Sequence, residues 1–315
     1  MNFAAMMLVA MALDLAIGWP NALFRRIGHP VTWLGALISG LEQRLNHPGP
    51  GRRGRGVVAA LLVIALAALC GLALQAALPS GWPGIVLGGV LAWPLVALRA
   101  MHEHVAAVAK PLRAADLPKA RHALSMIVGR DPAQLDSAGI SRAALESLAE
   151  NSSDGIIAPL FWGAVAGLPG IAAYKAINTL DSMIGHRSAR YEAFGWASAR
   201  IDDLVNLIPA RLSGGLFALA AGRGWVRALR VMAVDARAHR SPNAGWPEAA
   251  MAGALDIRLS GPRIYGDRVA AEPWLNAAAR DPGAADLIRG LALYRRAMGL
   301  GALGLALVAL VIWSF

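Results

Sequence analysis

Between Val57 and Leu78 the chain runs for 22 residues with a single polar side chain, Gln75. Coiled as a helix this stretch is about 33 Å long, enough to cross a hydrocarbon core of about 30 Å. In lipid the backbone must satisfy its own hydrogen bonds, so the run has to be helical. Pro79-Ser80-Gly81-Trp82-Pro83 then makes a tight turn with a tryptophan for the interface, and Gly84 to Leu98 returns. The pair reads as a membrane hairpin. By the same criterion Asn2 to Trp19 is a first span, with Asp14 inside it, and Met298 to Trp313 a last one. The first span lacks a basic n-region and an A-x-A site, so it reads as a retained helix rather than a signal peptide.

Composition agrees. The chain is 57% hydrophobic and only 16% charged, against about 25% charged in soluble domains. Its net charge of +10 reads as loop charge that places the flanks before Val57 and after Leu98 in the cytoplasm. No basic stretch is interleaved with aromatics, so nucleic acid is not an expected partner. The single Cys70 excludes an intramolecular disulfide and argues against a zinc cluster.

The expected fold is therefore all-α: a polytopic helical membrane protein with broken or re-entrant central helices and cytoplasmic amphipathic helices. It reads as one domain over residues 1–315. Membrane segments are expected near 2–19, 57–78, 84–98, 156–177, 204–222 and 298–314, with cytoplasmic loops 20–56, 99–155 and 223–297. In the first loop, Gly28-His29-Pro30 breaks the chain before an amphipathic helix over Val31 to Leu45, and Pro48 to Gly56 is a flexible basic linker. In the second, helices are expected over Ala100–Pro111, Asp116–Val128 and Ser141–Asn151, the last with Ser141 as N-cap.

The central apolar run, Ile156 to Ile177, is bracketed by Glu150, Asn151 and Asp154 before it and by Asn178 and Asp181 after it. Carboxylates and amides against membrane-grade sequence suggest function. Pro159, Gly163, Gly167, Pro169 and Gly170 interrupt the run, and such breaks are tolerated where backbone lines protein or a wet cavity. As a straight span it places Glu150 and Asp181 on opposite sides of the bilayer; as a hairpin turning at Leu168-Pro169-Gly170 it places them on one side. Loop parity favours the broken or re-entrant version.

Three groups of residues could carry chemistry. Glu146, Glu150 and Asp154 lie at i, i+4, i+8, although Asp154-Gly155 is expected to end the helix. Hard oxygen donors of this kind suit Mg²⁺, which takes one or two carboxylates plus substrate phosphates; the plain alternative is a solvated helix end. Lys175, Asn178, Asp181 and Ser182 form a stripe that could hold phosphate and metal, or simply interfacial salt bridges. Asp202-Asp203 with Asn206 and Arg211 extends it, unless one aspartate is an N-cap. The third group is Arg237, His239, Arg240, Ser241, Asn243 and Glu248, in which arginine forks match phosphate or carboxylate. The chain carries no P-loop, H-E-x-x-H, C-x-x-C or G-x-S-x-G motif. On residues alone this is a membrane enzyme or transporter handling an anionic, phosphorylated substrate.

Six motifs occur in order: HPVTWLGALI at His29, IVGRDP at Ile127, AENSSDGIIAPLFW at Ala149, YKAINTLDSMIGHR at Tyr174, SARIDDLVNLIPARLS at Ser198 and HRSPNAGWPEAAMAGAL at His239. Together they resemble the cobinamide-phosphate synthase family of cobalamin biosynthesis, the CobD/CbiB type, from Leu13 to about Arg268. The resemblance implies a multi-pass protein of the bacterial inner membrane, active on its cytoplasmic face. It implies amide ligation of (R)-1-amino-2-propanol O-2-phosphate, or a related amino alcohol, to the free propionate of adenosylcobyric acid, with ATP as co-substrate and Mg²⁺ as cofactor. Against that chemistry, Glu150, Asn151, Asp154, Lys175, Asn178 and Asp181 are the catalytic candidates. His29, Arg130, Asp131, Arg211, His239, Ser241, Asn243 and Glu248 are the substrate-binding ones, and Glu150, Asp154, Asp181 and Asp202 the metal ligands. Besides both substrates and the bilayer, the resemblance leaves room for association with other late cobalamin-assembly enzymes. The chain departs from the family it resembles in having Gly18-Trp19-Pro20 where Asp-Pro is usual, and beyond Arg268 the resemblance is weak. The competing readings are an AmpE-like membrane sensor and a transporter of an anionic substrate.

Overall fold

Several helices begin where the sequence supplies an oxygen or ring nitrogen to take up free backbone N–H groups. The computed structural model describes residues 1–129, 131–265 and 268–314. Asn2 caps α1 (Phe3–Ile17), His29 caps α3 (Pro30–Leu45), and Asp136 caps α8 (Ser137–Ser152). The remaining helices are α2 (Asn21–Ile27), α4 (Arg52–Ala76), α5 (Gly81–Ala92), α6 (Leu98–Arg113), α7 (Leu117–Ser125), α9 (Ala158–Ile184), α10 (Trp196–Val205), α11 (Leu207–Ala220), α12 (Trp225–Asp235), α13 (Gly245–Leu255) and α14 (Ala284–Trp313). Four short strands complete the described chain. They are β1 (Leu259–Ser260) paired antiparallel with β4 (Trp274–Leu275), and β2 (Arg263–Tyr265) with β3 (Arg268–Ala270).

Four helical stretches are long and apolar enough to cross a membrane: Arg52–Ala76, Gly81–Arg113, Ser137–Ile184 and Ala284–Trp313. Phe3–Ile17 and Asn21–Leu45, bent by 110° from each other, pass the same test only when taken together as one span. The molecule is a multi-pass helical membrane protein. The outer face of α4 shows Leu61, Leu62, Leu66, Leu69 and Leu72 at 50–61% exposure, the row that lipid covers.

Several boundaries differ from expectation. The segment expected over 204–222 is the 14-residue α11, about 21 Å and short of a bilayer core. The return over Gly84–Leu98 stops at Ala92, continues as a 3₁₀ turn through Leu95 and meets an extended Val96. α8 starts four residues before Ser141, because Asp136 provides the cap; Ser141 is interior and donates to the Ser137 carbonyl at 2.9 Å. Asp154-Gly155 does not end this helix. Ser153–Ile157 forms a π-turn that carries it into α9.

The chain divides into two compact units. The first comprises Met1–Ala97, Ala158–Asn206 and Gly304–Phe315; the second comprises Leu98–Ile157 and Leu207–Leu303. In the first unit α4 packs along α9, and Ala59, Ala60, Val63 and Ala67 meet Ala176, Leu180 and Ile184. The small residues allow close approach, as expected where lipid removes the hydrophobic drive between helices. In the second, α13 packs on α11 and α12, and α8 on α6 and α13. Tyr294 ties α14 to Leu98 through a 2.7 Å hydrogen bond.

The central run is broken, at Gly167 (φ 69°, ψ −147°), a left-handed value that glycine accommodates. Past this point the chain turns back. A Cβ on Gly170 would lie 2.2 Å from the Trp162 carbonyl oxygen, whereas eight residues of straight helix span about 12 Å. Gln75, the one polar residue of the α4 apolar run, accepts the Leu168 N–H at 2.8 Å and so satisfies the restarted helix. Pro159 breaks nothing. The expected break at Leu168-Pro169-Gly170 thus lies one residue earlier.

Candidate functional site

In the first unit, α9 presents Lys175, Asn178 and Asp181 at helical spacing, and α10 presents Asp202 and Asp203. Neither aspartate is an N-cap; both lie in the interior of α10. Tyr174, 1% exposed, donates to Asn206 Oδ1 at 2.9 Å, and Asn206 Nδ2 donates to Asp202 at 3.0 Å. This buried chain fixes α10 on α9. The charge that acts on Asp181 is that of Asp203, with His186 opposing it. Burial pushes the Asp203 carboxyl above the usual carboxylate range, against the pull of Arg200 and Arg187. Two carboxylates and nearby cations thus gather at the α9–α10 corner.

The loop between these helices is held at several points. Arg190 makes a two-pronged ion pair with Glu42 (2.9 and 3.0 Å), and Arg52 and Asn46 donate to the Arg190 carbonyl. The stretch expected as a flexible basic linker is therefore a clamp on the loop that carries His186 and Arg187. His29 accepts the Val31 N–H at 3.2 Å, stacks edge-on to Trp19 at 4.9 Å, and lies within electrostatic reach of Lys175. Trp19 packs on Trp93 at 5.5 Å.

In the second unit the HRSPN segment folds into a turn that starts α13. The Ser241 hydroxyl accepts the Asn243 and Ala244 N–H groups at 3.2 and 3.1 Å, and His239 Nδ1 accepts the Ser241 N–H at 3.1 Å. That leaves His239 Nε2 facing Glu248 Oε2 at 3.6 Å, with both side chains buried. Arg211 on α11 reaches the same place. It donates to Asn243 Oδ1 at 3.2 Å, lies 4.4 Å over Trp246, and feels the charge of Arg237. His239, Ser241, Asn243, Glu248 and Arg211 are thus brought together, with Arg237 and Trp246 added.

The other candidates in this unit separate. Asp131 accepts the Ala133 N–H at 2.9 Å and shapes a turn. Arg130 lies outside the described residues. Asn151 donates to Ser147, Glu150 is exposed and Asp154 half-buried at the π-turn. Glu146 instead holds β1 by accepting the Ser260 N–H at 2.8 Å. Glu150, Asn151 and Asp154 belong to the second unit, whereas Lys175, Asn178, Asp181 and Asp202 belong to the first.

Among the described residues no three His, Cys, Asp or Glu side chains converge as a metal cage. Asp181 and Asp203 are hard oxygen donors of the type Mg²⁺ takes when phosphates complete its shell. The donor set therefore fits Mg²⁺ brought with a phosphorylated ligand.

Residues 7–294 match the family model described as CobD/Cbib protein. A cobalamin biosynthesis protein CobD of Rhodobacter capsulatus is 72% identical over 314 residues, covering 100% of this chain and 99% of that one. This chain belongs to the CobD/CbiB family. Proteins of the same name from Sinorhizobium fredii and Brucella suis are each 47% identical, covering 92% of both chains and 98% and 97% respectively. No solved structure matches. The CobD/CbiB match runs past Arg268 to residue 294, beyond the reach of the six motifs. Membership gives the chain a role in cobalamin biosynthesis.

Two residues inside the CobD/CbiB motifs, Arg187 and Trp246, were not singled out as site residues from sequence, and Asp203 was noted only as one of an acidic pair. Asp203 is half of an Asp-Asp pair whose two members look equivalent until α10 turns one toward Asn206. Arg187 lies inside the MIGHR motif. Trp246 could have been found from its place three residues after Asn243, beside an arginine-bearing segment.

Proposed function

We propose that this chain ligates (R)-1-amino-2-propanol O-2-phosphate, or a close amino-alcohol relative, to the free propionate of adenosylcobyric acid. The product is adenosylcobinamide phosphate, with ATP and Mg²⁺ required. The supporting observation is the second-unit constellation: a buried His239–Glu248 pair beside the Arg211–Arg237 face. A carboxylate is a poor acyl donor, so the propionate oxygen first takes the γ-phosphoryl group of ATP, and ADP leaves. The amine then attacks the acyl carbon; the C–N bond forms, the C–O bond to phosphate breaks, and one proton departs. Glu248, paired with His239, accepts the proton that frees the amine. Arg211, held by Asn243 and the Leu207 carbonyl, offers its fork to phosphate oxygens. Within the first unit, Asp181 and Asp203 are the candidates to hold Mg²⁺, which would neutralise phosphate charge, and Lys175 is a candidate clamp on phosphate oxygens; Glu150 and Asp154 are the separate carboxylate candidates of the second unit. The reaction belongs on the cytoplasmic face of the inner membrane, where other late cobalamin-assembly enzymes could hand over the corrinoid.

The test incubates membranes carrying this chain with adenosylcobyric acid, aminopropanol phosphate and Mg-ATP, and seeks the amide by mass. Amide that depends on all three supports the reading. Corrinoid flux into vesicles without amide formation would replace it with a transporter. Turnover left intact by Glu150→Ala or Asp181→Ala would remove that residue from the metal site. A deletion strain rescued by cobinamide but not by cobyric acid places the block at this step.

A further inference from the structure

The arginines at the start of α4 and those of α2 differ in their partners. Arg52 and Arg55 donate to carbonyls of Arg190, Leu45 and His47, and Arg53 lies 3.5 Å over Trp196. The one acid of the stretch between α1 and α4, Glu42, is 7% exposed and engaged by Arg190. Arg25 and Arg26, in the last turn of α2, have no ion-pair partner among the described residues. No carboxylate of the stretch remains to neutralise them.

No residue of α2 is buried by protein. Phe24 and Ile27 are each 48% exposed and Trp33 is 55% exposed. The Trp33 indole N–H donates to the Ile27 carbonyl at 2.9 Å, which lays the ring against the helix end that bears the arginines. Apolar and aromatic groups beside guanidinium groups are the composition of a helix lying in a membrane interface. The direction of the chain agrees. Asn21–Leu45 is bent by 110° from Phe3–Ile17, so with α1 along the bilayer normal the α2–α3 stretch lies close to the membrane plane.

We propose that α2 and the start of α3 lie in the membrane–water interface, where Arg25 and Arg26 bind the phosphate of an anionic phospholipid. Charge complementarity selects this occupant. A zwitterionic headgroup brings its own cation, whereas two adjacent guanidinium groups ask for net negative charge and offer paired donors to phosphate oxygens. Phe24, Ile27 and Trp33 take the acyl-chain side.

The experiment uses the full chain in mild detergent, titrated with phosphatidylglycerol or phosphatidylcholine, with bound lipid counted by native mass spectrometry. Saturable retention of phosphatidylglycerol alone is expected. Arg25→Gln with Arg26→Gln should weaken it roughly thirtyfold, and Arg25→Lys with Arg26→Lys should preserve most of it. Equal retention of both lipids, or no change in the glutamine variant, would overturn the proposal. Displacement by millimolar inorganic phosphate would identify a free-anion site instead. Lipid-free dimerisation abolished by the same variant would identify a second copy of the chain; either result rejects a lipid seat. Should the double variant not remain monodisperse, brominated phosphatidylglycerol decides. The quenching lost on Trp33→Phe reports contact at α2, and its absence in the unmodified chain refutes the placement.

Discussion

Glu248 is 1% exposed and sits 3.6 Å from the His239 ring, in the first turn of α13, where the helix dipole favours a negative charge. A glutamine there keeps the shape and removes the proton acceptor. Glu248→Gln should therefore lower the rate of amide formation by about 10²- to 10⁴-fold with little change in the KM for ATP; wild-type kcat would exclude the base role. A second residue prediction concerns stability. Guanidinium donors from Arg258 and Arg142 hold the Asp281 carboxyl at about 2, below its ordinary 3.8. The folded value is depressed, so the stabilisation is present above pH 4 and is lost as pH falls toward 2. Asp281 is 36% exposed, which screens the pair and reduces the effect to on the order of 1 kcal/mol. Melting temperatures of wild type and Asp281→Asn should differ at pH 6 and converge near pH 2. The HRSPN cluster was legible at this scale because its polar residues are close in sequence. The choice of Asp203 over Asp202 was not, because it depends on the rotation of α10.

At the scale of elements, the apolar runs announced the membrane helices, and the breakers announced only that one of them is interrupted. Five prolines and glycines stand in the central run, yet only Gly167 takes up a non-helical conformation. Pro159 follows the π-turn, where its missing N–H is tolerated. Asp154-Gly155 looked like a terminator because the sequence does not show that a π-turn can carry the helix onward. The break depends on two partners. Gln75 accepts the Leu168 N–H, and a Cβ on Gly71 would lie 2.7 Å from the Leu168 carbonyl oxygen. Gln75→Leu should cost about 1–3 kcal/mol by leaving that N–H unsatisfied. Gly167→Ala should be worse, since φ is +69° and the new Cβ would lie 1.9 Å from Gln75 Oε1. Thermal unfolding in detergent checks both, and an unchanged midpoint for Gly167→Ala would mean the chain does not turn there.

At the scale of the whole molecule, sequence gave a reliable class but a poorer inventory. Six membrane segments were expected; four helical stretches, one of them broken at Gly167, and one bent pair taken together qualify by length. The difference is α11, which is shorter than its apolar run: the local break at Asn206 overrides hydropathy. What remains to be tested is direction. α4 contains 25 residues, about 37 Å of helix, so its ends lie on opposite sides of any bilayer it crosses. The arginine-rich flank before it should face the cytoplasm and the Pro79–Gly81 turn the periplasm. The chain has a single cysteine, Cys70, on the exposed face of α4, which makes labelling clean. In intact membranes Cys70 should resist a charged maleimide and react once detergent removes the lipid. In a Cys70→Ser background, Ser80→Cys should label in intact cells and Gln43→Cys only after disruption. Both positions reacting from one side would mean that α4 does not cross. The reverse pattern would put the clamped His186–Arg187 loop, which is strapped to the α3–α4 corner, on the periplasmic side, away from ATP.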